Sequence, residues 1–191
     1  MAKRSVVLNM VLIVMLSLVA TISWGQSSSK REDYTTLRLH AAKEKVTSLQ
    51  FYFHDVVSGK TPSAVRVAQA NDTDKSPTFF GALIMADDPL TETPDPKSKL
   101  VGRAQGLYGS AGQHELGLIM AMSFVFTEGE YNGSSISVLG RNAALNPVRE
   151  MAVVGGTGVF RLARGYAIAQ TYWFDPATGD AIVCYNITVV H

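Results

Sequence analysis

Cysteine occurs once in the 191 residues, at Cys184, so no intrachain disulfide can staple this fold. The core must hold by burial alone, and a hydrophobic share of 47% is enough for that. Cys184 lies in an alternating apolar run, which reads as a buried structural thiol rather than a nucleophile. Histidine is scarce too. His40, His54, His114 and His191 show no metal-ligand spacing. His114-Glu115-Leu116-Gly117-Leu118 places Leu118 where the H-E-x-x-H zinc helix needs its second histidine. Neither a metal site nor a cofactor is expected. A nucleotide loop is missing: the cluster Gly155-Gly156-Thr157-Gly158 is followed by Arg161 where G-x-G-x-x-G needs glycine, and no G-K-[ST] follows. Ser110 sits in Gly-Ser-Ala-Gly, which is not the G-x-S-x-G nucleophile elbow. An excess of one charge is absent as well. At a net charge of +1 the chain has no electrostatic reason to seek nucleic acid.

Much of the apolar content sits at the N-terminus. Lys3 and Arg4 precede an almost wholly apolar run from Val6 to Ile22, followed by small residues Ser23 and Gly25 and then polar Gln26-Ser27-Ser28-Ser29. This order predicts a secretory signal peptide over residues 1–25, cut after Gly25. The rival is a signal anchor, since the run nears membrane-spanning length. No basic stop-transfer cluster directly follows, which favours cleavage. Cleavage leaves 15 of the 17 basic side chains against 16 acidic ones, an extracellular protein with no membrane attachment and no pull toward an anionic bilayer. In an exported chain, the sequons at Asn71 and Asn132 lie in turn-like sequence and are candidate glycan sites; a third, at Asn186, lies inside a strand-like run. Residues 26–47 are polar and aperiodic and read as a mobile arm. Residues 48–191 form one domain.

From Leu49 the pattern becomes that of strands. Leu49–Val57 is aromatic and β-branched, with Phe51, Phe53 and Asp55 on one face and Tyr52 and His54 on the other. Further strands are expected at Val65–Ala70, Thr78–Ala86, Leu100–Tyr108, Leu116–Thr127, Ser134–Leu139, Tyr166–Phe174 and Ala181–Val190. Turns are expected between them at Asn71-Asp72, Asp87-Asp88-Pro89, Asn132-Gly133 and Asp175–Asp180. No long helical period interrupts the series, so the class is all-β, an antiparallel sandwich or barrel. Leu116–Thr127 carries no charge on either face. A strand apolar on both sides is covered on both sides; in a barrel the outer cover would be a second subunit, so a homo-oligomer is expected.

Several polar residues have two readings on sequence alone. Asp55 is either an interior acid on the face of Phe51 and Phe53 or a strand-end carboxylate bonded to turn amides. Tyr108 is a pocket phenol or a rim aromatic. Arg149 is a pocket cation or a surface charge paired with Glu150. Asp87-Asp88 is a carboxylate pair or, as the better reading, a turn. The stretch Arg149–Tyr166, with four glycines and three arginines, reads as a shaped connection near a site, its Gly155, Gly156 and Gly158 giving conformational freedom and close approach.

Three motifs in order carry a resemblance: Phe53-His54-Asp55, Gly102-Arg103-Ala104-Gln105-Gly106-Leu107-Tyr108, and Arg149–Gly158. They resemble the signatures of plant dirigent proteins over about Leu49 to His191. The resemblance implies an eight-stranded antiparallel β-barrel of the allene oxide cyclase-like, calycin type, assembled as a trimer or dimer. It also implies control of stereochemistry when phenoxy radicals of coniferyl alcohol-type phenols couple, with a laccase-type external oxidase making the radicals. A related branch, the pterocarpan synthases, closes an isoflavanol ring with loss of water. Both chemistries pass through a quinone methide, which calls for an acid and a face-selective pocket. A third reading is a non-catalytic defence protein that binds phenolics or glycans.

Carried over by residue, Asp55, Tyr108 and Arg149 fall on the family's pocket aspartate, tyrosine and arginine, with Phe53 and Asn142 contacting substrate. Lignan-forming members have a second aspartate seven residues before the arginine, and this chain has Asn142 there. Leu139-Gly140-Arg141-Asn142, Phe160–Tyr166 and Gly179–Val183 look more like the pterocarpan synthase branch, as does the absence of the paired cysteines of lignan-forming members. Arg161 and Arg164 match no pocket role and read as sheet-edge or subunit-contact cations.

Overall fold

The computed structural model describes residues 44–191. The expected signal peptide, and the expected arm as far as residue 43, lie outside them. Nine strands run in order: β1 (Val46–Asp55), β2 (Ala64–Ala68), β3 (Leu83–Thr91), β4 (Leu100–Ser110), β5 (Gly117–Phe126), β6 (Ser135–Ala143), β7 (Arg149–Thr157), β8 (Arg164–Phe174) and β9 (Ala181–Val190). β1 starts two residues inside the span read as arm. Neighbours pair antiparallel from β3 through to β9, β9 pairs with β1, and β1 meets β3 at Tyr52–Thr91 and Phe53–Leu90. That last contact closes an eight-stranded barrel and leaves β2 as a short flap on β3. Closure removes the open sheet edges that a flat sheet would expose.

Two elements differ from the sequence reading. β3 spans Leu83–Thr91, so Asp87-Asp88-Pro89 is strand, not turn. β3 pairs with β2 only as far as Ala86 and with β1 only from Leu90, which leaves a gap between. The amide of Asp87 points into that gap, to Ser63 O at 2.9 Å. Pro89 has the same orientation two residues on, where no amide donor is called for, so the strand tolerates it. The second difference is β7, which occupies most of the stretch read as a connection. Its glycines have different uses. A Cβ on Gly156 would sit 2.5 Å from Ser135 O, so the strand approaches its neighbour closely. Gly158, at φ +60, turns the chain into a short 3-10 segment ending at Phe160. Gly155 has open space around it, and the β6–β7 register slips beside it, at Ser137/Val138.

The period-2 pattern sorts side chains as expected. On β5, Met120, Met122, Phe124 and Phe126 are buried inside the barrel. Phe51 and Phe124 meet edge to face at 5.1 Å, and Tyr185 lies 5.1 Å from Phe124, filling the middle. One end is plugged by Phe160, with Tyr131 and His191 each at 5.0 Å and Phe126 at 5.8 Å. Each such ring contributes about 1.5–3 kcal/mol of burial. The opposite end, where β1, β4, β6 and β8 finish, is not filled by side chains.

Candidate functional site

The unfilled end is a cavity of about 880 Å3. Its wall includes Phe53, Leu118, Met120, Val183 and Tyr185, and its polar groups are few: Asp55, Tyr108, Asn142, Arg149 and Thr171 among them. A mainly apolar chamber with a few placed polar groups is the pattern of a small-molecule site. At the mouth, Phe79 takes an unusual left-handed backbone at φ 55, and the guanidinium of Arg66 lies 5.8 Å from its ring centre.

Asp55 comes last on β1 and points inward, as alternation from Phe51 and Phe53 requires. The Tyr108 hydroxyl donates to its Oδ2 at 2.9 Å and Oδ1 at 3.1 Å. Tyr108 is 7% exposed, so it is a wall residue and not a rim aromatic. Loss of water around Asp55 raises its carboxyl to about 6, with the Tyr108 bond partly opposing and the charge of Asp180 adding. An acid in that range can both give and take a proton near neutrality. The Tyr108 phenol is held well above its ordinary value, first by burial and then by Asp55, so it stays a donor.

Arg149 opens β7 and faces inward, 5% exposed, while Glu150 faces out. A surface pair between them is therefore excluded. Its Nε donates to Asn142 Oδ1 at 3.0 Å, and its Nη1 to Thr171 Oγ1 at 2.8 Å and Asn146 O at 3.3 Å. Every one of these acceptors is neutral, and among the described residues no carboxylate forms an ion pair with it. Burial accordingly pulls its basicity down. Asn142 also donates to Met120 Sδ at 3.7 Å. The cavity thus has a carboxyl with a phenol donor, and a cation with no counter-ion.

The sequence candidates Phe53, Asp55, Tyr108, Asn142 and Arg149 all meet at this one cavity. His54, between two of them in sequence, does not; its Nε2 lies 2.7 Å from Thr91 Oγ1 on the outer side. Arg164 pairs with Glu44 at the surface. Sequence reading missed Thr171, and it set Asp88 aside as part of a turn. Asp88 is fully buried on the inner face of β3, between Ala86 and Leu90. The signal was present in that alternation, which runs through Asp88 without a break, but the Asp-Asp-Pro composition spoke for a turn.

Such a barrel, plugged at one end and holding at the other an apolar chamber with an acid and a cation among its few polar groups, has the arrangement of a small-molecule site. The chain belongs to the Dirigent-like protein family, whose profile matches residues 46–190. It is 61% identical to Dirigent protein 23 of Arabidopsis thaliana over the full length of both chains. It is 55% identical to Pterocarpan synthase 1 of Glycyrrhiza echinata, over 78% of this chain and 80% of that one. The solved structure of the pterocarpan synthase dirigent protein GePTS1 superposes with a TM-score of 0.72, covering 78% of this chain and 89% of that one at 55% identity.

Proposed function

We propose that this protein performs acid-assisted, stereocontrolled ring closure on a phenolic carbinol of the isoflavanol type, through a quinone methide. The observation that supports it best is that Asp55, a carboxyl raised to about 6, shares one cavity with Arg149, which has no carboxylate partner among the described residues. Asp55 gives its proton to the benzylic hydroxyl, which leaves as water. The phenol conjugated to that carbon gives its proton to solvent at the open end of the cavity and becomes the quinone methide carbonyl, and Arg149 stabilises the negative charge on that oxygen. A second phenol of the same molecule attacks the benzylic carbon and returns a proton to Asp55, while the first phenol regains its own. One water is lost and no oxidant is consumed. The apolar wall holds the planar intermediate so that one face meets the nucleophile.

A second reading is stereodirection of phenoxy radical coupling, with radicals from a laccase-type oxidase. It is favoured by the cavity volume of about 880 Å3, room for two small phenols, and by the full-length likeness to a protein named as dirigent. Chiral chromatography separates the readings. Isoflavanol and coniferyl alcohol are each incubated with the protein, with and without laccase. Ring-closed product without oxidant supports the cyclase. Enantiomeric excess in coupled product, only with laccase, supports the dirigent reading instead. Unchanged isoflavanol and racemic coupling leave a phenolic- or glycan-binding defence protein.

The protein works, in this proposal, as a secreted homo-oligomer. A paired row of outward side chains, Met85, Leu107, Ala121, Leu139, Ala152 and Tyr166, crosses six strands of the barrel. Ile119, Leu139 and Val154 on the same face are exposed in the single chain. Asn71 and Asn132 are exposed and open to glycosylation, whereas Asn186 is tied to Gln50 across the β1–β9 pair.

A further inference from the structure

Asp88 is absent from the cavity wall yet faces the barrel interior, and the chemistry proposed above makes no use of it. It is 0% exposed. The Ser63 hydroxyl donates to its Oδ1, and Ser63 is itself fixed by Val56 N at 3.2 Å. Its Oδ2 is buried without any partner. An ionised carboxylate offers about four lone-pair sites; here one hydroxyl serves them all, so the charged form would be almost unsolvated. Asp55 is better placed to carry charge, since the single Tyr108 hydroxyl reaches both its oxygens and its carboxyl meets the open cavity. β1 and β3 run antiparallel with Phe53 opposite Leu90, and that register carried two residues on sets Asp55 level with Asp88; two such neighbouring buried carboxyls do not both ionise easily, and the proton stays on the less solvated one.

We propose that Asp88 is the proton-holding member of a buried carboxyl pair with Asp55, and acts through Asp55 as a positioning residue: Asp88 stays neutral while Asp55 ionises, so Asp55 is the member that exchanges its proton with substrate.

The surroundings agree. Burial first, and the Asp55 charge second, push Asp88 up to about 8, against about 6 for Asp55. Arg103 on β4 is the cation bearing on Asp88, but its guanidinium is bonded to Asp87, on the outer face. Asp87 itself adds a like charge. Tyr108 on β4 and Tyr185 on β9 are phenols whose ionisation the two carboxyls suppress further. The His54 ring turns to Thr91, and burial lowers its basicity.

The pair is tested on the purified protein by infrared titration of the carboxyl C=O band. A protonated-carboxyl band that persists at neutral pH and is lost near 8 is expected in the wild type. Asp88→Asn should abolish it, and Ser63→Ala, a milder change, should move its loss to higher pH. In thermal melts Asp88→Asn should gain on the wild type as pH rises from about 4 to about 8, by the pH dependence of one proton, because only the wild type holds that proton in the fold. A neutral-pH band absent from the wild type, or unchanged in Asp88→Asn, overturns the pair. The positioning role rests on the ring-closure reading. In Asp88→Asn the activity limb should stay near 6; a fall of a unit or more would mean Asp88 is charged in the wild type, and would overturn it. Lack of any turnover by the wild type sinks the ring-closure reading and leaves the infrared test standing.

Discussion

The Tyr108 hydroxyl bridges both carboxyl oxygens of Asp55, at 3.1 and 2.9 Å, from a strand that never pairs with the one carrying Asp55. This contact lowers the Asp55 pKa against the larger effect of burial. Tyr108→Phe removes it. The Asp55 carboxyl should then titrate above 6, shifted up by about one unit, since a hydrogen bond to a charged group is worth about 1.5–3 kcal/mol and cavity water replaces part of it. A pH–rate profile of ring closure checks this; a limb that stays put or moves down contradicts it.

Asp55→Asn should lower turnover by about 10²- to 10⁴-fold, the usual contribution of a positioned acid. It should also stabilise the barrel at neutral pH. The folded value for Asp55, about 6, lies above the unfolded one of 3.8, so the fold binds the proton more tightly. Wild-type stability therefore falls as pH rises from about 4 to about 6, by at most about 3 kcal/mol. Melting curves at pH 4 and pH 7 should show the variant gaining only at the higher pH.

Asn142→Asp would put a carboxylate where Asn142 Oδ1 now accepts from Arg149 Nε at 3.0 Å. The cation would then have its counter-ion before substrate arrives. Ring closure should slow by about tenfold or more, because preorganised positive charge at the developing oxyanion is lost. Thermal stability should hold or rise. Steady-state kinetics beside a melt distinguishes this from simple damage.

Phe160→Ala opens the plugged end, where Phe160 is fully buried among Phe126, Tyr131 and His191. A loss of about 3–5 kcal/mol is expected in urea unfolding. Ligand affinity at the other end should change far less than stability does.

Leu139→Lys places a charge in the middle of the outer apolar row, at a position 47% exposed in the single chain. If that row is the subunit contact, native mass spectrometry should show monomer where the wild type shows an oligomer. An unchanged assembly would move the interface elsewhere.

Alternation makes much of the barrel legible in the sequence. Phe51, Phe53 and Asp55 share a face because strand geometry leaves them no choice, and the β5 residues Met120 to Phe126 sort the same way. Composition misleads where it runs against alternation. Asp87-Asp88-Pro89 has the chemistry of a turn, yet β3 carries it, because the ladder opens on one side there and asks no amide of Pro89. The glycines from Gly155 to Gly158 look like a loop, yet two of them continue β7 and Gly156 lets it press against Ser135.

The family resemblance named Tyr108, Asn142 and Arg149; by its own local pattern the chain determined most of its strand content and the inward face of each well-patterned strand, that of Phe51, Phe53 and Asp55 included. Those follow from residue type and a two-residue period, which act over short range. Tertiary structure alone decided that Tyr108 would reach Asp55, that Arg149 would lack a counter-ion, and that Asp88 would be sealed behind the wall with one oxygen unpartnered. Those outcomes depend on which strands close on which and in what register, and closure of the barrel sets distances between residues far apart in sequence.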